Sequence, residues 1–528
     1  MKKEIPFGVA IIPIIITVAV MMVTIVVLKQ SPHVPLIIGT TVASIVAWRY
    51  GYKWNDIEEA MYKGIRLALP AIVIIILVGL TIGAWIGGGI VATMIYYGLN
   101  LLTPSLFLVS ITIICSIVAL AIGSSWSTMG TIGVAGMGIG LSMGIPAPMV
   151  AGAIISGSYF GDKMSPLSDT TNLAAGLTNT DLFTHIRHML FTTIPGLIIT
   201  LIVYAFLGRN FGANNIDAKG IDQTLQVLQQ NFVISPFLLI IPVVVMVLVA
   251  KKVPAIPAIL VGIILGFLSQ VFIQGGSVSA SVGALQNGFV IDTGNKLVDE
   301  LFNRGGLDSM MNTVSMTIVA MTFGGVLEHT GILRAIVNQI LKLATSAKGL
   351  IASTIASCFA TNLTCSEQYI SIVVPSRMYA NAYTEKGLHS KNLSRALEDG
   401  GTLTSVFVPW NTCGVFILAT LGVGAFEYAP YAVLNFIVPI ISIIYGITGL
   451  TITKLSDIEK AELLKKTKSS IRSLKITVNL VHILREGALV DRAFPRRKYE
   501  HTHNQLVSLT TFLLIDESLV SIQKDLLL

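Results

Sequence analysis

The chain has 528 residues, 53% of them hydrophobic and only 12% charged, with a formal charge of +7 and a mean hydropathy of +0.78. Soluble globular domains carry roughly 25% charged residues, so this composition excludes an ordinary soluble domain and points to a membrane protein. The positive balance is assigned to basic loops, since no nucleic-acid motif accompanies it.

A bilayer crossing needs about 20 apolar residues. In chain order, candidate runs occupy residues 7–28, 68–85, 105–122, 190–207, 232–250, 255–273, 311–327, 366–382, 403–421 and 431–450. Shorter runs at 35–48, 132–145 and 351–360 read as half-helices or tilted spans. The expected fold is an all-α polytopic membrane protein with about a dozen transmembrane segments. The first run is too long, and too closely followed by a second, for a cleaved signal peptide. Cys115, Cys358, Cys365 and Cys413 lie in apolar context without metal-ligand spacing. They read as small core residues, with no disulfide framework, zinc site or cofactor implied.

Loop charge sets the expected orientation. Lys2 and Lys3, the basic connection 49–66, Lys251-Lys252 and the segment 334–348 fit the cytoplasmic side. The connections 208–231 and 274–308 are poorer in Lys and Arg and fit the outside. This bookkeeping yields five segments: N-terminal helices with a cytoplasmic loop (1–66), a first transporter repeat (67–209), external loops and linking helices (210–307), a second repeat (308–455) and a tail (456–528). In each repeat a Gly-bearing helix end, Gly83–Ile90 or Gly325–Ile332, precedes two polar breaks in apolar runs. The breaks are Gly123–Thr128 and Ser165–Thr170 in the first, Thr361–Gln368 and Val408–Cys413 in the second. One half starts at a cytoplasmic loop and the other at an external one, so the repeats are expected to be inverted, with broken or re-entrant helices around a midplane site. The charged tail lacks a run of membrane length. It is placed in the cytoplasm, with no chemistry assigned.

The most informative stretch is Gly157–Ala175, where Asp162, Lys163 and Asp169 stand among Ser158, Ser165, Ser168, Thr170, Thr171 and Asn172 in apolar surroundings. Buried charges persist only where protein or water receives them, and oxygen-rich sets suit hard cations. A helix interrupted in the membrane is tolerated only where its free N–H and C=O groups line a cavity or bind something. The competing reading, Ser and Thr as interhelical glue, accounts for Ser158 and Thr171 but not for two aspartates. Asp162 is as well explained by pairing with Lys163 as by a functional role. Asp169, with no basic neighbour in sequence, is the stronger candidate for binding an ion or a proton. Glu367 lies between apolar runs with no adjacent cation, and a desolvated carboxyl group binds a proton or a cation, one excluding the other. The candidate ion and proton set is Asp169, Glu367, Asp162, Ser124, Thr128, Ser165, Thr170, Asn172, Thr361, Asn362, Asn411 and Thr412. Within it, Na+ is placed at Asp169, Ser165, Asn172, Thr361 and Asn362. Glu328-His329 reads as an interfacial helix end, Glu398-Asp399 as a solvated pair with Asp399 the better functional candidate, and His185, Arg187 and His188 as a membrane boundary. Trp126 and Trp410 lie in or beside the breaks, where packing is the first reading and lining the pathway the alternative.

The run Gly161-Asp162-Lys163-Met164-Ser165-Pro166-Leu167-Ser168-Asp169-Thr170-Thr171-Asn172 closely resembles the NhaC-type sodium/proton antiporters. Gly123–Thr128, Ala360-Thr361-Asn362 and Pro409-Trp410-Asn411-Thr412 are similar to that family as well, and the resemblance spans residues 5–455. It implies a secondary active antiporter in the plasma membrane that exchanges Na+ for H+. A second branch exchanges malate and protons for lactate and sodium, and would need Lys163, Arg377 or half-helix N-termini as anion partners. Simple sodium/proton exchange is the first expectation. The expected partners are the lipid bilayer, Na+, H+ and, in the second branch, malate and lactate, with a homodimer as a candidate assembly and no nucleic acid. A channel without coupled transport is the main alternative from another class. No nucleotide loop, metalloprotease motif or nucleophile motif supports an enzyme.

Overall fold

The computed structural model describes residues 3–28, 30–211, 218–251, 253–342 and 346–456; the expected tail therefore lies outside the described residues. Helices dominate, and the one pairing of extended backbone described is an isolated antiparallel bridge between Leu388 and Lys454. The chain opens with α1 (Phe7–Met22), α2 (His33–Arg49) and α3 (Trp54–Gly87), followed by α4 (Ile90–Leu101) and α5 (Pro104–Ile122). A short α6 (Ser125–Thr128) passes through a π turn at Met129–Gly133 into α7 (Val134–Ser142). Next come α8 (Ala147–Met164), α9 (Asp169–Leu177) and α10 (Leu182–Gly208). The linking region holds α11 (Ala218–Asn231), α12 (Ile240–Ala250), α13 (Ala255–Phe272), α14 (Val278–Asn287) and α15 (Lys296–Phe302). The remainder comprises α16 (Gly306–His329), α17 (Ile332–Lys342), α18 (Ala347–Cys365), α19 (Gln368–Glu385), α20 (Ser390–Leu397), α21 (Thr412–Leu421), α22 (Ala425–Tyr428) and α23 (Val433–Thr448).

Among the described residues, α3, α5, α16 and the segment Leu182–Phe211 are each long and apolar enough to cross a membrane. Three more spans arise if each sharply bent helix pair counts as one, giving seven. Shorter apolar helices at Phe7–Met22, His33–Arg49, Ile90–Leu101 and Ile256–Phe272 add to these, and several apolar runs are cut. The run expected at 403–421 is one of them. A short 3-10 turn at Ser405–Phe407 gives way to a bend of 50° before α21. Among the helices without a counterpart in the expected spans are α4 and α8. The latter is buried along most of its length, and its glycines, serines and charges lower the hydropathy of a helix that faces protein instead of lipid.

The two halves repeat one another in backbone punctuation. In the first, α3 ends at the left-handed Gly89, α5 ends at the left-handed Gly123, and Ser168 caps α9. In the second, the corresponding points are the left-handed Gly331 after α16, the left-handed Ser366 after α18, and Asn411 capping α21. The same interval separates Gly123 from Ser366, Ser168 from Asn411, and the α10 cap Asp181 from the α22 cap Gly424. At both second breaks a proline, Pro166 or Pro409, removes an N–H donor just before the new helix starts.

Glycine contacts hold the layers at backbone distance. α3 and α16 run antiparallel, with Gly64 against Met321 and Gly325, and Gly79 against Gly306. Gly157 and Gly161 of α8 likewise lie against the Thr112 and Ser116 carbonyls of α5. A side chain at any of these positions has nowhere to go. Gly64→Leu is expected to drive Cβ into the Met321 carbonyl and destabilise the fold by about 1–3 kcal/mol or more. Gly8→Leu, which meets nothing within 4 Å, is the control. Thermal melts of the two purified variants in detergent check this.

Candidate functional site

Four helix N-termini gather at the polar breaks, and each is capped by a side chain from the break itself. Ser124 Oγ accepts from Ser127 N at 3.2 Å to start α6, and Ser168 Oγ accepts from Thr171 N at 3.5 Å to start α9. Glu367 Oε2 accepts from Tyr369 N at 2.5 Å and Ile370 N at 3.2 Å to start α19, while Asn411 Oδ1 accepts from Cys413 N at 3.0 Å to start α21. The caps satisfy backbone donors that neither helix nor water would otherwise pair. The partially positive helix starts also favour negative charge nearby.

These ends border a cavity of about 940 Å³. Ser124, Asp162, Asp169, Thr170, Glu367 and Gln368 line it, and Glu328, His329 and Arg377 contribute a second group of charges. The close approach of α8 to α5 brings Asp162 to the α6 start, where Oδ2 accepts from Ser125 N at 3.0 Å. Asp169 is the exposed member, open to the cavity from the first turn of α9. Four carboxyl groups facing Arg377 and His329 leave the wall biased toward cations.

Of the predicted residues, Asp162, Asp169, Ser124, Thr170 and Glu367 line this cavity. The others spend their polar atoms on the helix ends behind it. Thr128 and Thr361 donate to the carbonyls of Ser124 at 3.0 Å and Ser357 at 2.8 Å. Ser165 Oγ accepts from Leu167 N at 3.2 Å, and Asn172 donates to the carbonyls of Pro166 at 2.9 Å and Ser168 at 2.7 Å. Asn362 donates to Gly401 O at 2.8 Å and Thr404 Oγ1 at 3.1 Å, and accepts from Asn411 Nδ2 at 3.1 Å. Thr412 ties the two second-half breaks together, its N–H donating to Ser366 O at 2.9 Å and its hydroxyl to Glu367 Oε1 at 3.5 Å. Of the five residues assigned to sodium, Asp169 alone lines the cavity. Trp126 stacks on Phe416 with centroids 4.3 Å apart and also lines the cavity, while Trp410 packs with its ring N–H donating to Leu363 O at 2.8 Å.

Several expectations are corrected. Lys163 does not pair with Asp162: its Nζ lies 2.8 Å from Asp399 Oδ1, and neither side chain has any exposure. Consecutive helical residues point about 100° apart, so Asp162 faces the cavity while Lys163 faces the protein interior. Glu398 and Asp399 are not solvated but fully buried in a π turn at Glu398–Thr402. Around them lie Arg395, also fully buried, with Nη1 donating to Thr451 Oγ1 at 2.9 Å, and Thr192, donating to Asp399 Oδ1 at 3.3 Å. His185 and His188 do not mark a surface boundary either; both are buried against this cluster. Glu328 and His329, read as an interfacial helix end, line the cavity with Nδ1 and Oε2 3.9 Å apart. Sequence reading missed the burial because α20 and its π turn are short and polar, and no apolar run announces them.

A profile of the Na+/H+ antiporter family matches residues 157–450. The chain is 39% identical over 455 residues to the Na(+)/H(+) antiporter NhaC of Alkalihalophilus pseudofirmus, covering 86% of this chain and 98% of the relative. It is 37% identical over 446 residues to NhaC of Bacillus subtilis, covering 84% and 98%. The malate-2H(+)/Na(+)-lactate antiporter of Bacillus subtilis is 41% identical over 414 residues, covering 78% of this chain and 88% of the relative.

Breaking the buried ion pair has a predictable cost. Lys163→Met leaves Asp399 as an uncompensated buried charge and is expected to destabilise the protein by about 3–5 kcal/mol. The double variant Lys163→Met with Asp399→Leu removes both charges and is expected to recover most of that loss. Denaturation of native, single and double variants in the same detergent measures the difference.

Proposed function

Because this chain belongs to the Na+/H+ antiporter family, we propose that it is a secondary active antiporter that expels Na+ from the cell as protons enter. The observation that carries this reading is the convergence of Asp162, Asp169 and Glu367 on one cavity at the broken helices. Asp169 and Glu367 are the carboxylates for which cation and proton compete. A carboxylate that has taken a proton no longer offers full charge to Na+, so sodium binding requires proton release and weakens as pH falls. Ser124 and Thr170 supply further oxygens, and the capping amides and hydroxyls hold the helix ends in place. Movement of one half against the other presents the cavity alternately to the two faces. Lys2, Lys3 and the basic loop 49–66 favour a cytoplasmic N-terminus in the plasma membrane.

Carboxylate-coupled exchange is the second reading, favoured by the presence of Arg377 and His329 in the same cavity and by a volume that accommodates a small dicarboxylate. Proteoliposomes with an internal pH dye and an imposed proton gradient separate the two. Dequenching by Na+ alone supports cation/proton exchange. A response that requires malate on one side and lactate on the other supports the carboxylate branch, and no response to either rejects both.

In that assay Asp169→Asn and Glu367→Gln are each expected to lower apparent Na+ affinity by at least about tenfold, a loss produced even by outer-shell changes around bound metals. Normal sodium-dependent proton flux in Asp169→Asn removes Asp169 from the mechanism. For the native protein, half-saturating Na+ is expected to rise as pH is lowered, because protons occupy the same oxygens.

A further inference from the structure

After α23 the chain turns through the left-handed Gly449 and continues as a strap, residues 449–454, that is fastened to α10 and α20. The Thr451 carbonyl accepts from His188 Nε2 of α10 at 3.1 Å, and its hydroxyl accepts from Arg395 Nη1 of α20 at 2.9 Å. Further on, the Thr453 carbonyl accepts from His389 N at 3.0 Å and from Asn392 Nδ2 at 2.7 Å. The Thr453 N–H donates to Asn392 Oδ1 at 3.0 Å. α10 closes the first half of the chain and α20 belongs to the second, so Thr451 fastens the strap to both. Thr451 also holds φ at 59°, a left-handed backbone that a β-branched residue keeps only where its surroundings impose it.

Arg395 is the weak point of this fastening. It is fully buried, yet its Nε and Nη2 have no hydrogen-bond partner. Asp399 follows one helical turn later, and its Oδ2 also lacks a partner, while Oδ1 holds Lys163 and Thr192. Residues at this spacing share a helix face, so the guanidinium has a second acceptor on its own stretch of chain. We propose that residues 449–454 are a latch on the exchange cycle. Fastened at Thr451, the strap holds the two halves as they stand here, with Asp169 exposed in the cavity. Transfer of the Arg395 guanidinium from Thr451 to Asp399 releases it. The strained backbone at Thr451 favours release, and the Thr453 bonds keep the strap on α20 once Thr451 has let go. No group gains or loses a proton in this change of partners. The inference rests on the reading in which one half moves against the other. Its test needs no sodium, which separates the latch from the identity of the transported ion.

Ala71 lines the cavity outside the ion set. In full-length protein carrying Ala71→Cys, alkylation by N-ethylmaleimide is timed in sodium-free detergent. The native cysteines are all buried, and the chain without Ala71→Cys gives the background. Adding Thr451→Ser keeps the acceptor for Arg395 and is expected to leave the rate unchanged. Adding Thr451→Ala removes that acceptor and is expected to lower the rate at least about threefold, less than a hydrogen bond to a charged group can carry. A rate in Thr451→Ala equal to or above that in Thr451→Ser overturns the latch, as does the absence of alkylation in every chain. Where Thr451→Ala does not fold, Asn392→Ala, which loosens the strap at Thr453, decides by the same criterion. Failure of sodium-dependent proton flux in liposomes, with these rates differing as expected, rejects the transported ion and leaves the latch in place.

Discussion

A helix stopped inside a membrane leaves backbone N–H and C=O groups without partners, and the architecture of this protein follows from how those groups are paired. At each of four breaks a short polar side chain turns back on the helix it begins: Ser124, Ser168, Glu367 and Asn411. The requirement for caps brings oxygen atoms to the breaks, and the glycine contact between α5 and α8 brings Asp162 to one of them. The cavity lies among these helix ends. Glu367 serves as both cap and cavity wall.

The second organising feature is the separation of two polar regions by α8. Asp162 stands on its cavity side, and the adjacent Lys163 stands in a dry interior with Asp399, Glu398 and Arg395. Such a cluster contributes little net stability, because the desolvation of its members offsets their mutual attraction. The pair Lys163–Asp399 also joins the first half of the chain to the second, so charge in the interior and contact between the halves are linked in one place.

Much of this was legible in the residue order. Composition established a membrane protein, and Pro166 and Pro409 located two helix interruptions, since proline removes a donor and ends regular pairing. The motif from Gly161 to Asn172 carried the family resemblance, and a carboxylate in apolar context identified Asp169 and Glu367 as residues that need an explanation. The amides were harder to read. Asn172, Asn362 and Asn411 look like ion ligands in sequence; in the structure the Asn172 amide donates to the Pro166 and Ser168 carbonyls, and Asn362 and Asn411 bond to backbone and to each other. Nothing local distinguishes an amide that binds an ion from one that fastens a turn.

By itself, then, the sequence determined where the helices are made and broken and which buried charges require a partner, because hydropathy, proline geometry and desolvation act over a few neighbouring residues. The tertiary structure alone decided who the partners are. Asp399 answers Lys163 from the far half of the chain, Glu398 is withdrawn from water by packing around a short polar helix, and Glu328, His329 and Arg377 face the same space as Asp169. Those assignments depend on which helix faces meet, and that is set by glycine contacts and cavity shape across the whole bundle, not by the residues that flank each charge.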